Sequence, residues 1–226
     1  MQAPDQQGTL GDFIIALGQL PDGVADRLSA ARRWPALPLS GAAAEVRMLR
    51  VAPQLHVWVR GSVRVSEGPR GAIALSSEPA LGRTRTARVD GLVSALSQAC
   101  AGVEASLEGL RGRFAWVQWD VQQDWLWAAT DGFRTCPIVW ARQGSALWLA
   151  SDLRLLLAAG AVEPRVSLPA LYQYLNFGYV AAPLSALVGA QKLPAGSCLV
   201  AQEGKVAVRA WWDARYRADL GSLPEP

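Results

Sequence analysis

Cysteine and histidine are the residue types best suited to act as nucleophile, base or metal ligand, and this sequence has few of either. It contains three cysteines, Cys100, Cys136 and Cys198, and a single histidine, His56. These scattered positions cannot supply the four clustered ligands of a structural zinc site or an even framework of disulfides. We therefore expect packed or incidental thiols, a structural His56, no metal and a reducing compartment.

The composition indicates a folded protein without a nucleic-acid or membrane partner. Of 226 residues, 51% are hydrophobic and 18% are charged, so the chain can bury a substantial core. The net charge of +3 includes no basic block of the kind that a nucleic-acid groove requires. The sequence shows neither a secretory signal nor an apolar stretch approaching the roughly 20 residues that cross a bilayer. We predict a soluble, cytoplasmic protein.

The spacing of apolar residues predicts the elements that must position any site. Strands are predicted at residues 13–17, 46–51, 55–60, 72–75, 114–119, 125–129 and 146–150, with a hairpin at 198–201 and 205–208. Helices are predicted at 22–33, 90–110, 151–158 and 167–177, with Ser151 or Asp152 and Ser167 as N-caps.

Several of these strands are apolar on both alternating faces, and tryptophan recurs in them, so each face must be covered. The predicted fold class is α+β, a four-layer αββα sandwich of two antiparallel sheets flanked by helices. We predict one domain over residues 11–213, a flexible N-terminal lead at 1–10 and a C-terminal tail at 214–226.

Four ordered segments carry a resemblance to a known family. They are residues 110–116 (LRGRFAW), 130–138 (TDGFRTCPI), 149–156 (LASDLRLL) and 170–180 (ALYQYLNFGYV), the last followed by 192–197 and 211–213. They resemble the family patterns Leu-x-Gly-x-Phe-Ala, Arg/Thr-Asp-x-x-Gly-x-x-Pro-Leu and Ala-Ser-Glu-x-Lys-Ala-Leu, and the segment that leads into a synthetase half. The sequence is thus similar to the amidotransferase half of asparagine synthetase, a class II glutamine amidotransferase of the N-terminal-nucleophile (Ntn) hydrolase fold.

The resemblance implies a catalytic cysteine at the mature N-terminus, whose own α-amine serves as base. This sequence departs from that pattern. The family opening Cys-Gly-Ile-Phe-Gly falls where Gly11-Asp12-Phe13-Ile14-Ile15 stands, and Gln2 makes removal of Met1 improbable. We therefore expect no catalytic residue of the family type.

The resemblance also implies a glutamine pocket with an Asn-Gly-Glu strand end and a nearby acid. The corresponding residues are Ser76, Ser77, Glu78 and Asp90, which keep the acids but lose the Asn-Gly donors. One missing oxyanion donor costs on the order of 3 kcal/mol of transition-state stabilisation, which weighs against glutaminase activity. Glu78 and Asp90 are either a remnant site for an α-amino group or solvated loop acids.

Two further motifs bear on chemistry. Gly8-Thr9 resembles a junction at which some Ntn hydrolases cut themselves, which makes Thr9 an alternative nucleophile; otherwise Thr9 belongs to the flexible lead. The family's ATP loop, Ser-Gly-Gly-x-Asp-Ser, is only approached at residues 39–45, and no Gly-Lys-Ser/Thr sequence occurs. We expect no cofactor.

The leading hypothesis is an amidotransferase-like pseudoenzyme that does not hydrolyse glutamine. It would be a structural or regulatory partner of a separate ATP-dependent synthetase (ATP-pyrophosphatase) subunit, or a homo-oligomer. Resemblance to β-lactam synthetases makes peptide or natural-product modification an expected setting by analogy. The alternatives are an active glutamine-hydrolysing subunit processed at Gly8-Thr9, and an amino-acid-sensing module.

Overall fold

The computed structural model describes residues 12–24, 28, 47–52, 54–60, 64–67, 73–76, 80–81, 107, 110–120 and 123–214. Its strands are β1 (Asp12–Leu17), β2 (Arg47–Ala52), β3 (Leu55–Arg60), β4 (Arg64–Glu67), β5 (Ile73–Ser76), β6 (Ala80–Leu81), β7 (Leu110–Arg111), β8 (Ala115–Asp120), β9 (Trp125–Thr130), β10 (Val139–Gln143), β11 (Ala146–Ala150), β12 (Ala190–Lys192), β13 (Ser197–Gln202) and β14 (Lys205–Ala210). Its helices are α1 (Leu153–Ala158) and α2 (Leu168–Phe177).

The strands form two six-stranded antiparallel sheets. The first has the order β12-β10-β11-β1-β3-β2 and the second the order β14-β13-β9-β8-β5-β4, while β6 pairs with β7 apart from both. Strand β1 is central in the first sheet, where Ile14 lies opposite Trp58 of β3 and Ala150 of β11. The earliest described strand is therefore held by partners from distant parts of the chain.

Alternating residues of the central strands build the core between the sheets. On β1, Phe13 and Ile15 are buried in one cluster with Val117 and Leu199 of the second sheet. Successive side chains of a strand point to opposite faces, so this cluster is the layer between the two sheets.

The outer faces of both sheets are covered by helical residues. On the first sheet, Trp58 packs with Leu28, which is helical, and with Leu156 of α1. On the second sheet, Trp116 packs with Leu107, which is also helical. The predicted αββα sandwich is confirmed, although the predicted helices at 22–33 and 90–110 lie largely outside the described residues.

Helix α1 begins and packs as its sequence predicts. The Asp152 carboxylate accepts a hydrogen bond from the Arg154 backbone N–H at 2.8 Å, which satisfies a donor at the helix start. Leu155 and Leu156 are buried against the first sheet.

Helix α2 also has the predicted cap but not the predicted packing. Ser167 accepts a hydrogen bond from the Ala170 N–H, and Gly178 ends the helix with φ at 72°. However, Ala170 is the single residue of α2 that is buried. The expectation that residues 167–177 cover an outer face of the sandwich is wrong, because nearly every apolar side chain of this helix faces solvent.

Sequence patterns missed three strands of the two large sheets and misplaced one helix end. Strands β4, β10 and β12 of the two large sheets were not predicted, nor was the short β6; β10 (VWARQ) has too little alternation to separate it from the turn before it. Leu110, predicted as the end of the helix at 90–110, instead begins β7. The hairpin of β13 and β14 is confirmed, with Glu203 and Gly204 at φ of 50° and 73° in its two-residue turn.

Candidate functional site

The candidate site lies at the end of the sandwich where β1 begins. The Phe13 N–H donates to Ser151 Oγ at 3.1 Å, and the Ser151 N–H donates to the Phe13 carbonyl at 3.1 Å. Asp12, the first residue of β1, is buried. These bonds fix the start of β1 against the end of β11.

The end of β9 lies at the same end of the sandwich. At the opposite end, a cleft of about 170 Å³ is lined by residues of both sheets, including Leu17, Gln54 and Asp124. There the Gln54 amide donates to the Asp124 carboxylate at 2.6 Å. Leu17 is the last residue of β1 and Asp124 directly precedes β9. The start of β1 and Thr130 at the end of β9 therefore lie together at the end of the sandwich away from this cleft.

Residues 131–138, named here the Asp131 turn, follow β9. The Asp131 carboxylate accepts hydrogen bonds from the N–H groups of Phe133 (3.0 Å), Thr135 (3.1 Å) and Cys136 (3.2 Å), and from the Thr135 hydroxyl at 2.7 Å. The Phe114 N–H adds a fifth bond at 3.3 Å. Asp131 is thus the structural centre of the turn, and its carboxylate is already occupied by donors.

Burial alone would raise the pKa of Asp131, but the hydrogen bonds from Thr135, Phe133 and Cys136 outweigh it, and the pKa lies below its ordinary value. The group is therefore an anion at neutral pH. An anion that accepts five hydrogen bonds is suited to holding a loop in place rather than to removing a proton from a substrate.

The segment at residues 211–213 closes over the Asp131 turn. The backbone N–H groups of Trp211 and Trp212 both donate to the Gly196 carbonyl, at 2.9 and 3.1 Å, and the Gly196 N–H donates to the Asp131 carbonyl at 3.0 Å. A Cβ placed on Gly132 would lie 2.7 Å from the Trp212 ring. The close approach of Trp212 therefore requires glycine at that position.

The described thiols do not form a nucleophilic site. Cys136 is buried between the sheets and Cys198 below the outer face of the second sheet, and neither is in a disulfide. Both are packed thiols, as expected. Cys100 lies outside the described residues.

His56 belongs to the structure rather than to the candidate site. It lies in β3 opposite Ala16, toward the cleft end, and its ring stacks on Trp58 at a centroid distance of 6.0 Å. In the part of the chain that the structure describes, no group of three or more histidine, cysteine, aspartate or glutamate side chains could hold a metal ion.

Of the four residues of the predicted remnant pocket, the structure describes Ser76. Ser76 ends β5, whose Leu75 lies opposite Val117 of β8. Ser77, Glu78, Asp90 and the alternative nucleophile Thr9 lie outside the described residues. The remnant pocket therefore stays a prediction.

Two cations, Arg134 within the Asp131 turn and Lys192 beside it, were missed by the sequence analysis. Arg134 adopts φ of 53°, in the left-handed region, and lies near Lys192 of β12. A single arginine in a turn carries no periodic signal. One signal was present in the sequence: Arg134 stands at the position where the quoted family pattern has glycine.

Comparison with known proteins gives one family and two solved structures. Residues 76–212 match the family model described as glutamine amidotransferase domain. Glutamine phosphoribosylpyrophosphate amidotransferase from B. subtilis, solved with ADP and GMP, is 11% identical, with a TM-score of 0.51 over 90% of this chain and 49% of that one. A structure titled as the allosteric regulatory enzyme of purine biosynthesis is 10% identical, with a TM-score of 0.48 over 91% of this chain and 43% of that one.

At these identities the structural likeness concerns the fold alone, an Ntn-type sandwich. The chain spans about half the length of the solved proteins it matches. No curated protein sequence matches it. Among the described residues, no helix is long and apolar enough to span a membrane.

Proposed function

The chain belongs to the glutamine amidotransferase domain family, and from that premise we propose that it is a member that does not hydrolyse glutamine and instead supports a separate enzyme. Its role is that of a structural or regulatory partner of an ATP-dependent synthetase subunit. By the analogy with β-lactam synthetases, the setting is peptide or natural-product modification.

The start of β1 supports the loss of glutaminase chemistry. An Ntn amidotransferase needs a cysteine there, and the residues that lead into β1 include none. The two described thiols are buried in the core and between a sheet and its helical cover. Attack on a glutamine amide by either thiol would require the sandwich to open.

The single observation that carries the partner role is the exposed apolar surface of α2. This surface, named here the α2 surface, consists of Val166, Leu168, Leu171, Tyr172, Tyr174, Leu175, Phe177 and Tyr179, all of which are exposed. Leu168 and Leu175 each expose 74% of their surface. Neighbouring exposed apolar side chains of this kind mark interaction sites.

The α2 surface also lacks charge. Residues 166–191 include no Asp, Glu, Lys, Arg or His, in a chain with 18% charged residues. Leu168, Leu171, Tyr172 and Leu175 recur at the spacing of one helix face, which favours docking of the helix against an apolar groove. We assign the complementary groove to the synthetase subunit.

Two measurements on the purified protein test the absence of hydrolysis. Glutamate release from glutamine is expected to be undetectable, and the intact mass is expected to include residues 1–8. Glutamate release together with loss of residues 1–8 would instead establish the alternative enzyme with Thr9 as nucleophile.

A binding experiment tests the partner role. The genes next to the one for this chain are first searched for an ATP-pyrophosphatase subunit, which then serves as the probe, and complex formation is followed by calorimetry. The double variant Leu168→Asp/Leu175→Asp is expected to weaken binding at least tenfold, because it places two charges in an apolar interface. Val208→Asp, on the exposed edge strand β14, is the matched control and should bind like the wild type. Equal affinity of all three proteins would exclude α2 as the docking surface.

A further inference from the structure

The pair formed by Arg134 and Lys192 is unusual because nothing in the described chain neutralises it. The Arg134 guanidinium is half-buried, and its Nε is buried without a hydrogen-bond partner. Lys192 Nζ donates to the Val180 carbonyl at 2.7 Å, which uses one of its three donors. Neither side chain forms an ion pair with any residue that the structure describes.

The two charges act on each other. Burial lowers the pKa of Arg134, and burial together with the nearby charge of Arg134 lowers the pKa of Lys192. The backbone brings the two residues together, because Lys192 pairs with Val139 of β10 and the Leu193 N–H donates to the Ile138 carbonyl, the last residue of the Asp131 turn, at 2.9 Å. Holding two partly buried cations together without a counter-charge is unfavourable unless an anion joins them.

The carboxylate closest along the chain cannot serve as that anion. Asp131 is three residues before Arg134, but its oxygens accept bonds from Phe133, Thr135 and Cys136. The Arg134 backbone N–H binds the Asp131 carbonyl, not its carboxylate. The Arg134 side chain therefore has its donors available.

The backbone holds Arg134 in a costly conformation. A φ of 53° is disfavoured for a non-glycine residue, and among the described residues only Asp124 and Glu203 share this conformation with Arg134. Strain of this kind is retained where the side chain has a role. Lys192 is placed by different contacts, because its backbone N–H donates to the Pro183 carbonyl and it pairs with Val139 of β10.

From this geometry we propose that Arg134 and Lys192 form a binding site for a small carboxylate or phosphate anion. The guanidinium supplies a planar fork that fits two oxygens of either group, and the ammonium supplies a point charge beside it. Phe133, the residue before Arg134, is 79% exposed, and its ring centroid lies 5.3 Å from that of Trp212. The site does not depend on the proposed partner role.

Calorimetry and thermal unfolding test the site with two probes, inorganic phosphate and succinate, at constant ionic strength. We expect at least one probe to bind the wild type and to raise its unfolding temperature. Binding of phosphate alone or succinate alone supports the site and identifies its anion class. Arg134→Gln and Lys192→Gln should each lower the association constant about tenfold or more, while Arg142→Gln, an exposed cation of β10, should leave it unchanged.

Arg134→Gly separates binding from folding. Glycine adopts the left-handed conformation freely, so this variant should be at least as stable as the wild type without anion, yet lose the anion-dependent stabilisation. Absence of binding by both probes would overturn the site, and so would equal binding by the wild type and the Arg134 and Lys192 variants. If these variants lose only affinity for a protein partner, the cations serve a partner carboxylate and the small-anion site is wrong.

Discussion

The Asp131 turn and the α2 surface differ in where their contacts lie. In the turn, a buried carboxylate satisfies five donors, and Trp212 packs so closely that a Cβ has no room on Gly132. In α2, ten residues contribute one buried side chain, Gln173 is half-buried, and the rest face solvent without charge. The Asp131 carboxylate is fully bonded by donors of the same domain, whereas α2 lacks a covering element in the described chain.

This difference predicts that substitutions in the two regions affect different properties. Changes at Asp131, Gly132 or Gly196 should lower the free energy of unfolding, because they remove or displace contacts within the domain. Changes in the α2 surface should leave folding intact and alter association.

The largest effect is expected for Gly196→Ala. Gly196 has φ of 58°, and a Cβ there would lie 2.6 Å from the Trp212 carbonyl oxygen, a backbone atom that cannot move independently. We expect a loss of about 3 kcal/mol or more in the free energy of unfolding, measured in urea. Gly204→Ala is the control, since φ is 73° but no atom lies within 4 Å, and it should cost only about 1 kcal/mol. Equal losses would show that Trp212 does not constrain the loop.

A smaller but still substantial loss is expected for Asp131→Asn. The amide has one oxygen and no charge, so it cannot accept the five bonds that the carboxylate accepts. The expected cost is about 2 to 3 kcal/mol at neutral pH. Asp152→Asn, at the cap of α1, should cost less than about 1 kcal/mol because asparagine also caps helices.

The same carboxylate predicts a pH dependence. Because the pKa of Asp131 is lower in the folded than in the unfolded protein, the stabilisation is complete above its ordinary value of 3.8 and is lost as the pH falls through the folded value. Between about pH 5 and about pH 2, the free energy of unfolding measured in urea should decline in the wild type and decline less in Asp131→Asn. Parallel curves for the two proteins would contradict this assignment.

The smallest effect on stability is expected for Leu168→Asp. Leu168 is exposed, and an aspartate in the first turn interacts favourably with the helix dipole, so the free energy of unfolding should be unchanged or raised by about 0.5 kcal/mol. A loss above about 1 kcal/mol would mean that α2 packs within the domain after all. Thermal unfolding of the single variant decides between these outcomes.

The sequence patterns predicted the layers better than the site. Strands such as β8 and β9 are apolar on both faces, and that property alone required two covered sheets. The helix caps Asp152 and Ser167 were also predicted correctly, because a cap depends on a side chain and a backbone N–H only two or three residues apart. The packing of α2 was not predictable in the same way. An apolar helix predicts burial, but its sequence does not show whether the covering surface comes from the same chain or from another.

The site was harder to predict for a related reason. Asp131 was visible in a quoted family pattern, but the pattern did not show that its carboxylate collects the donors of its own turn and that of Phe114. Lys192 carries no such signal, because it meets Arg134 only through the pairing of β10 with β12. Residues read by family pattern alone, such as Glu78 and Asp90, stay predictions because no described contact involves them.

The central position of β1 bears on how the domain can be synthesised and divided. One edge of β1 pairs with β3, about 40 residues later in the chain, and the other edge pairs with β11 at residues 146–150. During synthesis, β1 therefore leaves the ribosome long before β11, and its second edge stays unpaired until β11 follows. A fragment limited to residues 76–212, the segment matched by the family, would leave β11 with an open edge and Trp148 without the strand beside it. The early third of the chain is therefore indispensable for a monomeric, non-aggregating product, even though the recognisable motifs all lie in the later part.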